Sequence, residues 1–323
     1  MRFQSRRGHV YAYFAVLAYA AIIGLSFLYT KVALSYASPI DTLALRFTLS
    51  FAAIIVLLAT GLWRVSLKGK PWPRLLLLAL LYPLGFFTLQ AFGLQHASSA
   101  EGGILFATTP ILTALLAGIF LKETTTPTQK LSILLSVSGV VMIFVMQGTG
   151  IQLTNIVGIS LLTLSCLVSA GYIVLSRYLL RTFTPTEVTV SMMAIGFVIF
   201  WIMSLAGHAA AGTMDRLFDP LANAEFVWSI VYLGIFASLI TAFTSSYALT
   251  KLEASKISVF SNLSTVISIA AGAFMLGETV TVHHLIGSAL IIAGVIGTNA
   301  KMKPKPSRAV LIESRHGRGN PLE

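Results

Sequence analysis

Ten stretches of roughly 20 residues in this chain are free or nearly free of charge, the length an α-helix needs to cross the ~30 Å apolar core of a bilayer. They fall at 10–32, 40–62, 75–94, 102–121, 131–146, 156–176, 188–207, 226–248, 257–276 and 285–300. Backbone polar groups find no water inside lipid, so runs of this kind must form helices that satisfy their own hydrogen bonds. A mean hydropathy of +0.85, with 56% hydrophobic and only 10% charged residues, excludes an ordinary soluble domain. The expected fold is an all-α polytopic membrane protein with ten transmembrane helices.

The placement of the basic residues orients the bundle. With the N-terminus inside, 19 of the 22 Lys and Arg residues fall in cytoplasmic segments, the exceptions being Lys31, Arg46 and Arg216. The positive-inside rule then puts both termini in the cytoplasm. It also explains the net charge of +11 without nucleic acid as a partner. The first span follows Arg2, Arg6 and Arg7, but its apolar run is longer than that of a signal peptide, so it reads as a retained helix. Residues 301–323 read as a basic cytoplasmic tail that touches anionic lipid. The single cysteine, Cys166, rules out an intramolecular disulfide.

The chain also repeats itself. Residues 94–143 align without a gap on 249–298, with identities at Leu94/Leu249, Leu121/Leu276, Glu123/Glu278, Thr124/Thr279, Thr126/Thr281, Leu135/Leu290, Gly139/Gly294 and Val140/Val295. Upstream, Lys31, Pro39 and Asp41 match Arg177, Pro185 and Glu187 at an offset of 146 rather than 155. The nine extra residues are expected in the polar loop 207–225. Two repeats, 10–150 and 151–300, thus follow a short N-terminal segment, 1–9. Five spans per repeat is an odd number, so the second repeat must insert with the opposite orientation, the inverted arrangement of many secondary transporters. Ala114/Gly118 and Ser268/Gly272 have small-xxx-small spacing, and Gly287 and Gly294 share a face, as helix interfaces in lipid require.

The segments IGLSFLYTKVAL and ALRF near the start, TTPILTALLAGIFLKET, and the repeated GET turn followed by LIGSALIIAGVIG resemble the EamA-type permeases of the drug/metabolite transporter superfamily. The resemblance runs from about Tyr13 to Asn299. It implies a central cavity lined by the first, third, fourth, sixth, eighth and ninth helices, and transport directed outward. One departure from the family pattern is that Pro110 has Thr265 as its counterpart, so nothing in the second copy assures a bent ninth helix.

Polar side chains in mid-span are the candidates for substrate binding, because lipid tolerates them only when they are paired or face water. They are Ser26 and Tyr29 in the first span, Gln90 in the third, Thr108 and Thr109 in the fourth, Ser169 and Tyr172 in the sixth, and Ser261 and Asn262 in the ninth. Serine and threonine can bond back to their own helix, whereas the amides of Gln90 and Asn262 cannot satisfy themselves that way. Arg46, about two turns inside the second span, is a candidate for gating or for contact with an anionic group. Glu123 and Glu278 precede helices and read as caps on exposed backbone N–H groups.

None of the eleven acidic residues lies in mid-span, so proton coupling through a buried carboxylate is not expected. His96, His208, His283 and His284 lie at span ends or in loops, without the spacing of a metalloprotease or a serine hydrolase. The expected protein is therefore a secondary transporter in the cell membrane, needing no cofactor, metal or obligatory protein partner. Its expected cargo is a small neutral or zwitterionic metabolite such as an amino acid, exported by alternating access. Export of drugs or lipophilic compounds is the alternative, and an intramembrane enzyme or a structural membrane protein is the alternative of another class.

Overall fold

The apolar runs become helices, and in each repeat the third span carries a π-helical stretch while the fourth is broken. A computed structural model describes residues 2–97, 99–146, 156–276 and 280–299. The chain forms α1 (Arg2–Leu34), α2 (Pro39–Ala59), α3 (Pro73–Ala79), α4 (Phe86–His96), α5 (Ser99–Phe106), α6 (Thr109–Leu116) and α7 (Pro127–Met146) in the first repeat. The second repeat has α8 (Ile156–Leu179), α9 (Pro185–Ala211), α10 (Ala224–Val231), α11 (Thr241–Leu249), α12 (Ala254–Phe260), α13 (Leu263–Leu276) and α14 (Val282–Asn299). No strand occurs among the described residues. Nine helical segments among them are long and apolar enough to cross a membrane. The remaining expected span, the ninth at 257–276, is divided between α12 and α13. The basic tail and Glu278 lie outside the described residues.

The repeat identities are capping and packing positions. Ser38 and Thr184 cap α2 and α9, each with proline at the first helical position, where a missing N–H costs nothing. Their hydroxyls accept the backbone N–H of Asp41 and Glu187 respectively. Thr126 and Gln129 form a capping box on α7, and Thr281 and His284 repeat it at α14. The helix that follows Glu123 is therefore capped by Thr126 and not by the glutamate. Lys31 at the end of α1 donates to the carbonyls of Leu94 and Ala97 at the end of α4. Arg177 at the end of α8 donates to the carbonyl of Leu249 at the end of α11. Both cations satisfy helix C-termini, where positive charge is favoured.

Gly139 and Gly294, identical in the repeat, bring α7 and α14 into close contact. A Cβ on Gly139 would lie 2.6 Å from the carbonyl oxygen of Gly287, and one on Gly294 would lie 2.5 Å from that of Ser132. The two contacts exchange under the 155-residue offset, which carries 139 to 294 and 132 to 287. A pseudo-two-fold axis therefore passes through the α7–α14 crossing, as an inverted repeat requires.

Most of the extra length of the second repeat falls within the expected stretch 207–225, but as helix and not as loop. Past their matched prolines, α9 has 27 residues and α2 has 21, and α9 ends on Gly212 at φ +66°. Three more residues lie in a π-helical stretch, Tyr232–Ile240 with nine residues against Leu80–Gly85 with six. A longer apolar helix can tilt to stay in lipid, so length added there needs no new surface loop.

Candidate functional site

Two helix breaks and two π-helical stretches surround the centre of the molecule. In α5–α6 the break falls at 107–108, just before Pro110, whose ring cannot continue the helical hydrogen bonds. In α12–α13 it falls at 261–262, without a proline. There the serines at 258, 261 and 264 each donate to the carbonyl three residues earlier, at 3.0, 2.6 and 2.5 Å. The backbone N–H groups of Ser261, Asn262, Ser264 and Thr265 follow the same i−3 pattern. Hydroxyls that compete for carbonyls at this spacing tighten the helix and interrupt it. The ninth helix is thus broken without the proline that the family pattern led one to seek.

The third and eighth spans carry the π-helical stretches, Leu80–Gly85 and Tyr232–Ile240, each directly before the helix that reaches the centre. Such stretches loosen the i−4 ladder and leave carbonyls available to other partners. In the second stretch those partners come from α2. Ser50 donates to the carbonyl of Gly234 at 2.8 Å, and Arg46 donates to Ser238 Oγ at 2.6 Å and to the carbonyl of Ala237 at 3.1 Å. The Arg46 guanidinium also lies 4.1 Å from the centroid of the Phe87 ring. A lone cation at the centre of a membrane helix costs about 2.5–3.5 kcal/mol on insertion scales, and these contacts offset it.

Between these elements lies a central cavity of about 40 Å³. That is room for about three water molecules. Twelve of its sixteen lining residues form pairs under the two repeat offsets: Ile23 with Ser169, Ser26 with Tyr172, Tyr82 with Ala237, Phe86 with Thr241, Phe87 with Ala242, and Gln90 with Ser245. The cavity therefore lies on the pseudo-two-fold axis. From α4 come the large members Phe86, Phe87 and Gln90, and from α11 the small ones Thr241, Ala242 and Ser245. Tyr82 stacks on Tyr172 with ring centroids 4.4 Å apart and packs on Phe87 at 4.8 Å, forming an aromatic wall. No lining side chain is acidic. Larger grooves border Leu17 and Ile296 on one face and Phe120 and Leu175 on another, but their linings are almost wholly apolar, as lipid-facing surface should be.

Of the residues expected at the site, Ser26, Arg46, Gln90, Ser169 and Tyr172 line this cavity. Five others do not. Tyr29 stacks on Tyr232 at 4.3 Å, away from the cavity. Thr108 bonds the carbonyl of Leu105, and Thr109 is buried at the start of α6, which packs on α8 and α12. Ser261 bonds within its own helix, and Asn262 donates to Ser136 Oγ of α7 at 3.1 Å. Thr108, Ser261 and the Asn262 amide nitrogen thus bond within or between helices, while the Thr109 hydroxyl and Asn262 Oδ1 are buried without a partner among the described residues. The walls that polarity did not reveal are aromatic: Tyr82, Phe86, Phe87 and Phe106. A signal for part of them was present, since Phe86 and Phe87 share a helix face with Gln90 and the repeat offset carries Gln90 to Ser245.

Glu123 caps a helix other than the one that follows it. Its Oε2 accepts the backbone N–H of Ala254 at the start of α12, at 3.2 Å, and its Oε1 lies 3.7 Å from Arg177 Nε. The carboxylate thus ties the first repeat to two helices of the second. Burial holds its carboxyl above the usual range, with Arg177 pulling in the opposite direction. At the aligned position Glu278, the expected cap lies outside the described residues. Asp41 and Glu187 also join helices: Asp41 accepts from Ser204 at 2.5 Å and faces His208 Nε2 at 3.2 Å, and Glu187 pairs with Lys70 at 2.6 Å.

Comparison with known proteins agrees with this architecture. The chain is 45% identical over 297 residues to YcxC, an uncharacterized transporter of Bacillus subtilis (strain 168), covering 92% of this chain and 95% of that one. It is 28% identical over 278 residues to an uncharacterized transporter of Archaeoglobus fulgidus, covering 84% and 92%. A protein of known crystal structure shares the fold with a TM-score of 0.70 at 20% identity, over 90% of this chain and 97% of that one. Residues 10–145 and 156–300 each match the EamA-like transporter family, one match per repeat. The chain, a multi-pass helical membrane protein, belongs to the EamA-like transporter family.

Proposed function

We propose that the protein is a secondary permease of the cell membrane that exports small zwitterionic or neutral metabolites, amino acids foremost, by alternating access through the central cavity. The observation that carries this reading is a mixed polar and aromatic cavity on the axis that relates two inverted repeats. Two near-equivalent packings around one site are what alternating access needs, and broken helices beside the site supply places for the repeats to flex. Gln90, Ser26, Ser169, Thr241 and Ser245 offer neutral donors and acceptors, and the tyrosines offer faces that attract an ammonium group. A cavity of about 40 Å³ is smaller than an amino acid, so the conformation seen is a contracted one whose walls must part to admit a solute. Both termini lie in the cytoplasm on this reading, which the bias of 19 of the 22 basic residues to one side supports.

Counterflow in proteoliposomes over a panel of labelled L-amino acids tests it, with Gln90→Ala as the site variant and Asn262→Ala as a buried variant off the site. Uptake of a subset, abolished by Gln90→Ala and retained in Asn262→Ala, is expected. Uptake indifferent to Gln90 would place the route elsewhere. Failure of every amino acid, with transport of an aromatic drug, would favour the lipophilic-exporter alternative.

A further inference from the structure

Arg46 breaks the symmetry of the cavity. The 146-residue offset pairs it with Met192, which is fully buried in α9, so the second repeat places no charge where the first places a cation. Arg46 is 3% exposed and lines the cavity, and among the described residues it forms no ion pair. A bundle that needed only packing at this point would be served by a second methionine, at lower cost in lipid.

The hydrogen bonds already made define what remains available. Nε and Nη2 donate to Ser238 and to the carbonyl of Ala237, which fixes one edge of the planar guanidinium, while Phe87 covers a face. Two of five N–H groups are used in this way. The end of the fork, formed by Nη1 and the second N–H of Nη2, has no acceptor among the described residues. Two parallel N–H groups at that spacing match the two oxygens of a carboxylate, and burial in a small, partly aromatic cavity strengthens such a contact. Resting on the cavity as the transport site, we infer that Arg46 binds the carboxylate of the transported solute. The permease therefore selects carboxylate-bearing small molecules over their neutral amides. Ser238 and Phe87 act as positioning residues that hold the guanidinium edge-on to the cavity.

The first test compares acids with their amides on the intact, purified protein and needs no variant. Thermal unfolding is followed with sodium acetate, sodium propionate, acetamide, propionamide and a sodium chloride control. The carboxylates should raise the midpoint and the amides and chloride should not. Arg46→Gln should erase the difference, and Arg46→Lys should keep part of it, because a point charge replaces a fork. In proteoliposomes an amino acid that undergoes counterflow should compete about tenfold or more better than its own amide, and Arg46→Gln should bring the two together. Acids and amides acting alike on the wild-type protein, whether both bind or neither does, would overturn the assignment. So would an Arg46→Gln protein that keeps the preference. The two readings separate cleanly: carboxylates that stabilise the protein while no amino acid is transported would sink amino-acid export and leave the Arg46 site standing. Amino acids transported as readily as their amides would do the reverse.

Discussion

The two repeats reach the same backbone by different chemistry. In the first, Pro110 follows the break in the fourth span; in the second, a ladder of serines at 258, 261 and 264 breaks the ninth. Lysine closes α4 in one and arginine closes α11 in the other. Glutamine completes the capping box of α7 and histidine that of α14. What the repeats hold in common is where helices start, stop and touch, since these points set the two packings between which a transporter moves. At the cavity they differ freely: Arg46 against Met192, Phe87 against Ala242, Gln90 against Ser245. Symmetry belongs to the machine and asymmetry to the solute, which need not be symmetric itself.

The comparison is broken most severely at the α7–α14 crossing. Gly139→Leu and Gly294→Leu should each cost about 3 kcal/mol or more, because the added side chain meets backbone on the partner helix and not a side chain that can turn away. Thermal unfolding in detergent measures it. Losses of similar size for the two variants support the axis, and a large loss for one alone would show that the crossing is not shared equally.

The helix-closing cations come next. Arg177→Met and Lys31→Met should each cost about 1–3 kcal/mol, the worth of charged hydrogen bonds, with Arg177 the larger because Glu123 loses its neighbour as well. Equal losses would mean that the Glu123 contact adds nothing.

A smaller effect on stability is expected at the helix breaks. Pro110→Ala, or alanine at the serines at 258, 261 and 264 together, should change unfolding by about 1 kcal/mol or less while slowing counterflow, since the breaks serve motion more than packing. Unchanged transport in both would remove the breaks from the mechanism.

The smallest effect is a pH dependence. Because the folded-state pKa of Glu123 is raised, burial chiefly and Arg177 in opposition, the carboxyl adds to stability when protonated. That contribution is complete below the ordinary value of 4.5 and is lost as pH rises through the raised one. Glu123→Gln should flatten the unfolding midpoint across that window, and an unchanged slope would assign it to another group.

Much of this was legible in the sequence, for physical reasons. Apolar runs reveal helices because lipid leaves the backbone no other choice, and the odd number of runs per repeat requires inversion. The identities at Gly139/Gly294 and Thr126/Thr281 mark a close contact and a helix cap, both local needs that particular residues meet. The cavity was harder to read. Polarity found Gln90, Ser26, Ser169, Tyr172 and Arg46, and it also pointed to Asn262, whose amide is used on Ser136 of a neighbouring helix. An amide in lipid can join two helices as readily as it can face a solute. The π-helical stretch Tyr232–Ile240, which positions Arg46, has no mark in its own composition, because it is set by how α2 packs on it. Serines three apart can bond back within a continuous helix as well as interrupt one, so their spacing alone does not mark the break in the ninth span.

The central claim is that the two repeats share one site on their axis and expose it alternately to each side of the membrane. With Cys166→Ser as background, Ser26→Cys and Ser245→Cys place one thiol on each repeat at the cavity. Their labelling by a membrane-impermeant maleimide is then followed from either face of oriented vesicles, with and without a transported amino acid. The account predicts that each thiol is reached from both faces in turn and that the solute protects the two together. Labelling of each position from a single face only, unaffected by solute, would contradict it.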